Sequence, residues 1–262
     1  MPAAASGAAG GGLDPSSSAP ARDARVKLNV IGCSPAWPNP GGACSGYLVD
    51  DRLLLDCGPG VLAKLREREP WPTVEAIAIT HLHLDHWGDL IPWVWGSLFG
   101  PGEGRPKPEL WLPPGSREEL RPILRRLGSE DMFERAFDVS EYQSRVPFTA
   151  AGLEVTAMPV DHYDMQAFGF RIKGDRVLAY SGDSGPSDAL AELARDVDLL
   201  LSEATLENGG YDGPERGHLS PTEAKEAAAD ARALRVILTH RPVEREAPPG
   251  VELAYDGLEL EF

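Results

Sequence analysis

The sequence contains few cysteines, and their placement argues against a disulfide framework. Cys33, Cys44 and Cys57 are scattered and odd in number, and no Cys-x-x-Cys pair occurs in the 262 residues. Secreted domains that depend on disulfides show dense, even-numbered cysteine patterns. We therefore predict three buried, unreactive thiols and a protein that resides in the reducing cytoplasm.

The chain also lacks a long apolar run. The longest apolar stretch, residues 90–99, is too short to span a bilayer, and it contains Pro92. The N-terminus has neither the basic start nor the apolar core of a signal peptide. These two absences predict a protein without a membrane segment.

Basic side chains are scarce relative to acidic ones. Lysine and arginine number 25 and aspartate and glutamate 41, which gives a formal net charge of −16. Such an acidic chain is poorly suited to non-specific binding of nucleic acid or of an anionic membrane. A locally positive metal centre that acts on a phosphate remains compatible with this charge.

The composition divides the chain into a tail and one domain. Residues 1–24 are mostly alanine, glycine, serine and proline, which predicts a disordered tail. Residues 25–262 contain no repeat or linker and form the predicted single domain. Its strands come first in meanders and then alternate with helices. Two sheets packed back to back, with helices outside both, satisfy this pattern, so the predicted class is a layered α/β fold.

Apolar runs and turn residues predict the individual elements. The predicted strands are 26–31, 47–49, 53–55, 74–79, 109–112, 133–139, 153–159, 167–173, 176–180, 197–201, 235–239 and 258–262. The predicted helices are 61–66, 90–98, 117–127, 188–194 and 221–231. Ser116 with Glu119 predicts a capping box for one helix, and Ser220 before Pro221 predicts the start of another.

The densest group of potential metal ligands follows the predicted strand 74–79. Residues 80–86 read Thr-His-Leu-His-Leu-Asp-His. His81 and His83 are two apart and point the same way at a strand end, and Asp85 and His86 follow after the chain turns. Neutral imidazoles and carboxylates bind zinc, iron or manganese. A solvated polar loop is the alternative, but four ligand-type residues at this spacing favour a metal site with room for two ions.

The other three histidines also lie at strand ends or in loops. His162, His240 and Asp183 each follow a predicted strand, and His218 precedes a predicted helix. Each has an ordinary explanation when taken alone, such as a surface loop or a turn. Together they indicate that several strand ends deliver ligand-type side chains to one site.

These residues resemble the metallo-β-lactamase superfamily. The resemblance rests on residues 80–86 with His162, Asp183 and His240, and it covers about residues 26–262. It implies a four-layer αββα sandwich with two divalent metal ions, of which zinc is expected and manganese or iron are alternatives. It also implies two ligand sets bridged by Asp183. These sets are His81, His83 and His162 for one ion, and Asp85, His86 and His240 for the other.

Two further stretches resemble the phosphodiesterase branch of that superfamily, which includes ribonuclease Z-like tRNA 3′-processing endonucleases and cyclic-nucleotide phosphodiesterases. They are residues 202–205, Ser-Glu-Ala-Thr, and residues 217–220, Gly-His-Leu-Ser. The middle histidine lacks the Pro-Gly-His-Thr context that is usual in lactonases and β-lactamases. The implied catalytic residues are His218 and Glu203, which assist the leaving group, together with Asp85.

The resemblance to short proteins related to atypical class II cyclic-nucleotide phosphodiesterases suggests the substrate. Only a predicted hairpin separates His162 from Asp183, which leaves no room for the tRNA-gripping arm of long-studied ribonuclease Z enzymes. We therefore expect a metal-bridging hydroxide to attack a small cyclic nucleotide in line. The alternatives are a tRNA 3′-endonuclease without the arm, a lactone or ester hydrolase, and a non-catalytic binding module. A homodimer is common in the branch.

The sequence leaves the substrate-binding side open. Trp87, Trp93, Trp95 and Phe99 either form a wall for a nucleobase or pack in the core. Arg241 either holds a phosphate oxygen or forms a surface ion pair.

Overall fold

The structure is a computed structural model that describes Met1, residues 25–213 and residues 215–262. The tail predicted for residues 1–24 therefore lies, apart from Met1, outside the described residues. Within the described part of the chain, no helix is long and apolar enough to cross a bilayer.

Fourteen strands are found among the described residues. In chain order they are β1 (Lys27–Gly32), β2 (Gly46–Val49), β3 (Leu53–Leu55), β4 (Ala76–Ala78), β5 (Glu109–Leu112), β6 (Asp138–Glu141), β7 (Phe148–Ala150), β8 (Leu153–His162), β9 (Met165–Lys173), β10 (Val177–Tyr180), β11 (Leu199–Glu203), β12 (Val236–Thr239), β13 (Glu252–Leu253) and β14 (Glu259–Glu261).

The strands form two seven-stranded sheets. The first has the order β14-β1-β2-β3-β4-β5-β6, and the second has the order β13-β12-β11-β10-β9-β8-β7. In each sheet an antiparallel meander passes into parallel strands, from β3 onward in the first sheet and from β10 onward in the second. Strand β14, within the predicted strand 258–262, is the edge of the first sheet and pairs with β1.

Seven α-helices and a short 3₁₀ turn (Gly209–Tyr211) accompany the sheets in the described chain. The α-helices are α1 (Val61–Arg68), α2 (Leu84–Trp87), α3 (Leu90–Phe99), α4 (Ser116–Arg126), α5 (Glu130–Ala136), α6 (Asp188–Leu193) and α7 (Pro221–Asp230). Buried residues of α1 to α5 pack with the first sheet, and those of α6 and α7 pack with the second. A third apolar cluster fills the space between the sheets. The predicted four-layer αββα sandwich is therefore confirmed.

The central strands are apolar on both faces because both faces are covered. In β3, Leu53 and Leu55 pack between the sheets, whereas Leu54 packs on the helix side. In β11, Leu199 and Leu201 likewise pack between the sheets, whereas Leu200 points to the other face and packs beneath α6 and α7. Alternate side chains of a strand point to opposite faces, so a fully buried strand reads as a continuous apolar run.

Two local predictions are wrong. Residues 133–139 are not one strand, because helix α5 continues to Ala136 and strand β6 begins at Asp138. Phe133 and Phe137 stand four residues apart and pack together with a ring-centroid distance of 5.2 Å, which is helical spacing. The capping box predicted at Ser116 does not form, because Gly115 is the N-cap and Ser116 makes no capping bond.

Other caps explain where the helices begin. A carboxylate of β6 caps α4: the two oxygens of Glu141 each accept a backbone N–H bond of 2.9 Å, from Gly115 and from Arg117. The start predicted for α7 is confirmed. Ser220 caps it in a complete capping box with Glu223, and Pro221 is at the first helical position.

Candidate metal centre

The predicted site residues lie where strands of both sheets end. The first sheet contributes residues 81–86, which follow β4 and include the short helix α2. In the second sheet, His162 ends β8, Asp183 follows β10 and His240 follows β12. Since β10, β11 and β12 run parallel, their carboxyl ends meet at one edge of the sandwich. The predicted residues are thereby brought together.

The first group consists of His81, His83, His162 and Asp183, whose ligand atoms lie within 4.8 Å of one another. The Nδ1 atom of His83 lies 3.1 Å from His81 Nε2 and 2.9 Å from His162 Nε2. Burial lowers the pKa of each of these three histidines. The imidazoles are therefore held neutral, with lone pairs that a cation can use.

The second group consists of Asp85, His86, Asp183 and His240, within the same mutual distance. His240 Nε2 lies 3.1 Å from Asp85 Oδ2, and His86 Nε2 lies 3.3 Å from an oxygen of each aspartate. Asp183 belongs to both groups. The seven residues named from the sequence thus form two neighbouring sets that share one carboxylate.

The chemistry of the two groups fits divalent cations. Asp183 Oδ1 and His86 Nε2 are buried and have no hydrogen-bond partner among the described residues. Buried polar atoms without a partner are costly, and a bound cation would satisfy both. Burial lowers the pKa of His86, but the charges of Asp183, Asp56 and Asp85 outweigh it and raise the pKa well above its usual value. The cluster therefore favours positive charge and can bind metal ions.

A buried acid–histidine pair lies beside the cluster. His218 Nδ1 is 2.9 Å from Oε1 of Glu203, which is completely buried. The His218 ring centroid lies 5.0 Å from that of His162 and 6.0 Å from that of His240. Burial lowers the pKa of His218, but the charge and hydrogen bond of Glu203 outweigh it and raise the pKa to about 9.

Comparison with known proteins identifies the family. The family model of the beta-lactamase superfamily domain matches residues 51–241. The chain belongs to the metallo-β-lactamase-fold superfamily.

Three relatives from this superfamily illustrate the similarity. YhfI of Bacillus subtilis, named a probable metallo-hydrolase, is 30% identical over 223 residues, which cover 83% of this chain and 87% of YhfI. Its crystal structure matches with 26% identity and a TM-score of 0.77, over 91% of this chain and 99% of that one. The Mycobacterium tuberculosis protein Rv1339 is 36% identical over 225 residues, covering 83% of this chain and 81% of Rv1339. Human tRNase Z, short form, matches with 25% identity and a TM-score of 0.69, over 89% and 98%.

The sequence analysis did not identify Asp56, a residue that supports the candidate site. Asp56, completely buried after β3, lies 2.7 Å from His86 Nδ1. It also accepts hydrogen bonds from the Thr80 backbone N–H and from the Tyr180 hydroxyl, at 2.8 Å each. A carboxylate on the far nitrogen fixes the histidine tautomer, so Nε2 faces the cluster. The only signal in the sequence is an aspartate at the end of an apolar strand.

Two other histidines of the cluster are also held at Nδ1, by an oxygen atom of the protein. His162 Nδ1 lies 2.7 Å from the carbonyl oxygen of Gly217, and His240 Nδ1 lies 2.9 Å from the Thr205 hydroxyl. The nitrogen that remains, Nε2, is in both cases the atom near the carboxylates of the cluster. The ring orientations are thus fixed by the protein itself.

A cavity of about 370 Å³ opens onto the cluster. The residues that line it are Ala36, Pro38, Cys44, Pro59, His83, Leu84, Asp85, Asp183 and His218. The tryptophan wall is therefore not found. Trp87 and Trp93 are buried in the helix-side core, which confirms the alternative for them, and Trp95 and Phe99 pack together on the exposed side of α3.

Arg241 plays neither of its predicted roles. It is buried, and its guanidinium donates to the carbonyl oxygens of Ala204, Arg245 and Glu246. It therefore supports the loop behind His240. The three cysteines are buried and unpaired, as expected, and burial raises the pKa of each thiol.

Proposed function

We propose that this chain, as a member of a metallo-hydrolase superfamily, hydrolyses the phosphodiester bond of a small substrate, a cyclic nucleotide. The observation that carries the proposal is the Glu203–His218 pair: His218 lines the cavity beside the proposed metal-binding groups, and the buried Glu203 lies behind it. An imidazole held with its proton at neutral pH suits a reaction whose leaving group is a poorly stabilised alkoxide.

The two groups described above are the proposed ligand sets. His81, His83 and His162 would hold one cation, Asp85, His86 and His240 the other, and Asp183 would touch both. Two divalent cations in these sets would lower the pKa of a water molecule and offset the negative charge that develops on phosphorus. The chain contributes the neutral imidazoles of the first set, the ionised carboxylates of Asp85 and Asp183, and fixed ring orientations.

His218 is the proposed general acid. Its Nδ1 faces Glu203, so the proton available to the substrate is on Nε2. Glu203 is itself held by backbone N–H groups, because Oε1 accepts from Leu219 at 3.1 Å and Oε2 accepts from Thr205 at 2.8 Å. In a cyclic nucleotide, water would add to phosphorus, the ribose oxygen would leave, and that oxygen would take the His218 proton.

A tRNA 3′-endonuclease is the main alternative, since the fold matches human tRNase Z, short form. Only the hairpin of β9 and β10 lies between His162 and Asp183, so this stretch contains no arm that could grip tRNA. The net charge of −16 also disfavours a polyanionic substrate.

The deciding experiment measures hydrolysis of 3′,5′-cyclic AMP by protein loaded with zinc or manganese. A chelated sample and the His218→Ala variant run alongside. We expect turnover that stops on chelation and a kcat that falls about 100-fold or more in the variant. Cleavage of a precursor tRNA without turnover of cyclic AMP would favour the endonuclease, and turnover of a lactone alone would favour the ester hydrolase.

A further inference from the structure

One side of the cavity is apolar and lies next to the metal-binding groups. Ala36, Pro38, Pro59 and Leu84 line it together with the ligands His83 and Asp85, Leu84 being the residue between them. The Leu84 side chain is 61% exposed, so it contributes little to the folded core. Exposed single leucines are common, but this one lines a concave site that also contains the proposed general acid.

No lysine or arginine is among the described residues that line this cavity. The nearby guanidinium groups are engaged by the protein itself. Arg216 pairs with Glu223 at 3.0 Å, Arg245 donates to the Thr205 carbonyl oxygen, and Arg241 donates to backbone carbonyls as described above. Among the described residues that line the cavity, a second phosphate on the substrate would therefore find no lysine or arginine. The part of the substrate that lies away from the phosphodiester should be uncharged.

The loop that carries Ala36 and Pro38 is fixed at both ends. Asp256 accepts hydrogen bonds from the backbone N–H of Cys33 at 3.2 Å and of Ala43 at 2.8 Å. The apolar side of the cavity is thus already formed without a ligand, which lowers the entropy cost of binding.

The middle of the same loop is tied to the strand end that carries a ligand. The Asn39 side chain donates to the Arg241 carbonyl oxygen at 2.9 Å and accepts from the Val243 N–H at 3.0 Å. Arg241 follows His240 directly, and Val243 lies three positions after it. The position of the apolar side relative to the metal-binding groups is therefore set by the protein.

We infer that the apolar side formed by Ala36, Pro38, Pro59 and Leu84 is the subsite for the base of the cyclic nucleotide, and that Leu84 determines the preference for substrates that carry a base. The inference rests on the proposed function. An uncharged aromatic base can lay one face on leucine and proline side chains. Its polar edge stays in water, because Leu84 lies at the exposed rim. The cavity volume is within the range of small-molecule sites.

The test compares two substrates on metal-loaded protein, 3′,5′-cyclic AMP and the 3′,5′-cyclic phosphate of methyl riboside, which lacks a base. Leu84→Ala should raise the KM for cyclic AMP about fivefold more than it raises the KM for the base-free substrate, so the ratio of the two KM values is the readout. Leu84→Met keeps the apolar contact and should behave as the wild type. Leu234→Ala is the matched control, because Leu234 is 77% exposed and does not line the cavity.

A binding measurement gives a readout without turnover. Adenosine has the base and the sugar but no phosphodiester, so calorimetry on the metal-loaded protein reports nucleoside binding without turnover. Leu84→Ala should weaken adenosine binding by the same factor as it raises the KM for cyclic AMP, and Leu234→Ala should not.

Each other outcome overturns the inference. Equal losses on both substrates would show that Leu84 acts through the neighbouring ligands, and no loss on either would show that it contacts no base. A wild type that hydrolyses both substrates with equal KM would refute the subsite and leave the phosphodiesterase proposal intact. A wild type that hydrolyses neither, with metals bound, would refute the proposed function, and the subsite would fall with it.

Discussion

At the scale of single residues, a completely buried carboxylate organises the candidate site. Asp56 holds His86, Thr80 and Tyr180 together in a space without water access. It could not be recognised from the sequence, because its partners are 24, 30 and 124 positions away. The histidine-rich stretch could be recognised, because four ligand-type residues are local.

We predict that Asp56→Asn weakens metal binding about 10- to 100-fold, because the amide cannot fix the His86 tautomer as a carboxylate does. A competition titration against a chromogenic chelator measures the change. Asp51→Asn is the matched control, since Asp51 is exposed and shares the left-handed backbone conformation, with φ of 57° at both positions. Equal metal affinity in the two variants would contradict the role given to Asp56.

A second prediction at this scale concerns pH. Glu203 raises the pKa of His218 to about 9, so the imidazole stays protonated at neutral pH and loses its proton as the pH rises above that value. Glu203→Gln removes the charge, and the alkaline limb of the kcat profile should move to lower pH. The loss of activity is then larger at pH 8 than at pH 6. A uniform loss at all pH values, or a shift also in the exposed control Glu207→Gln, would count against the pair.

At the scale of elements, the sequence predicts the strands and helices whose determining residues are close together in the chain. The buried strands β3, β11 and β12 follow from continuous apolar runs, and α7 follows from a cap whose two partners are three residues apart. The start of α4 could not be predicted, because its cap is Glu141, which is 26 positions from Gly115. Residues 133–139 were misassigned because a short apolar run fits either a strand or a helix turn.

The Ser220 cap of α7 should contribute to the stability of the protein. Ser220→Ala should lower the free energy of unfolding by about 1 kcal/mol, because the Glu223 N–H loses its acceptor. Urea denaturation measures this as a lower midpoint with an unchanged slope. Thr222→Ala, an exposed position in the same first turn, should stay within about 0.5 kcal/mol of the wild type. Similar losses in the two variants would show that the cap is not the cause.

At the scale of the molecule, the candidate metal-binding residues come from both sheets. Residues 81–86 follow a strand of the first sheet, whereas in the second sheet His162 ends a strand and Asp183 and His240 each follow one. Metal ions that bind only the folded chain stabilise it through mass action. At an ion concentration 100 times the dissociation constant, chelation should lower Tm by roughly 5–10 °C. Differential scanning fluorimetry tests this, and His218→Ala should keep the shift whereas Asp183→Asn should reduce it. An unchanged Tm on chelation would argue against metal-linked stability.

Residues of the second group are far apart in the chain, so this group is completed late during protein synthesis. Asp85 and His240 face each other across 155 positions of sequence, and a ribosome needs roughly 10–30 s to add that many residues. Until His240 has left the exit tunnel, the growing polypeptide has only the first ligand group complete. Hydrolysis that needs both groups, as proposed above, would therefore begin only after residue 240 has been added to the chain.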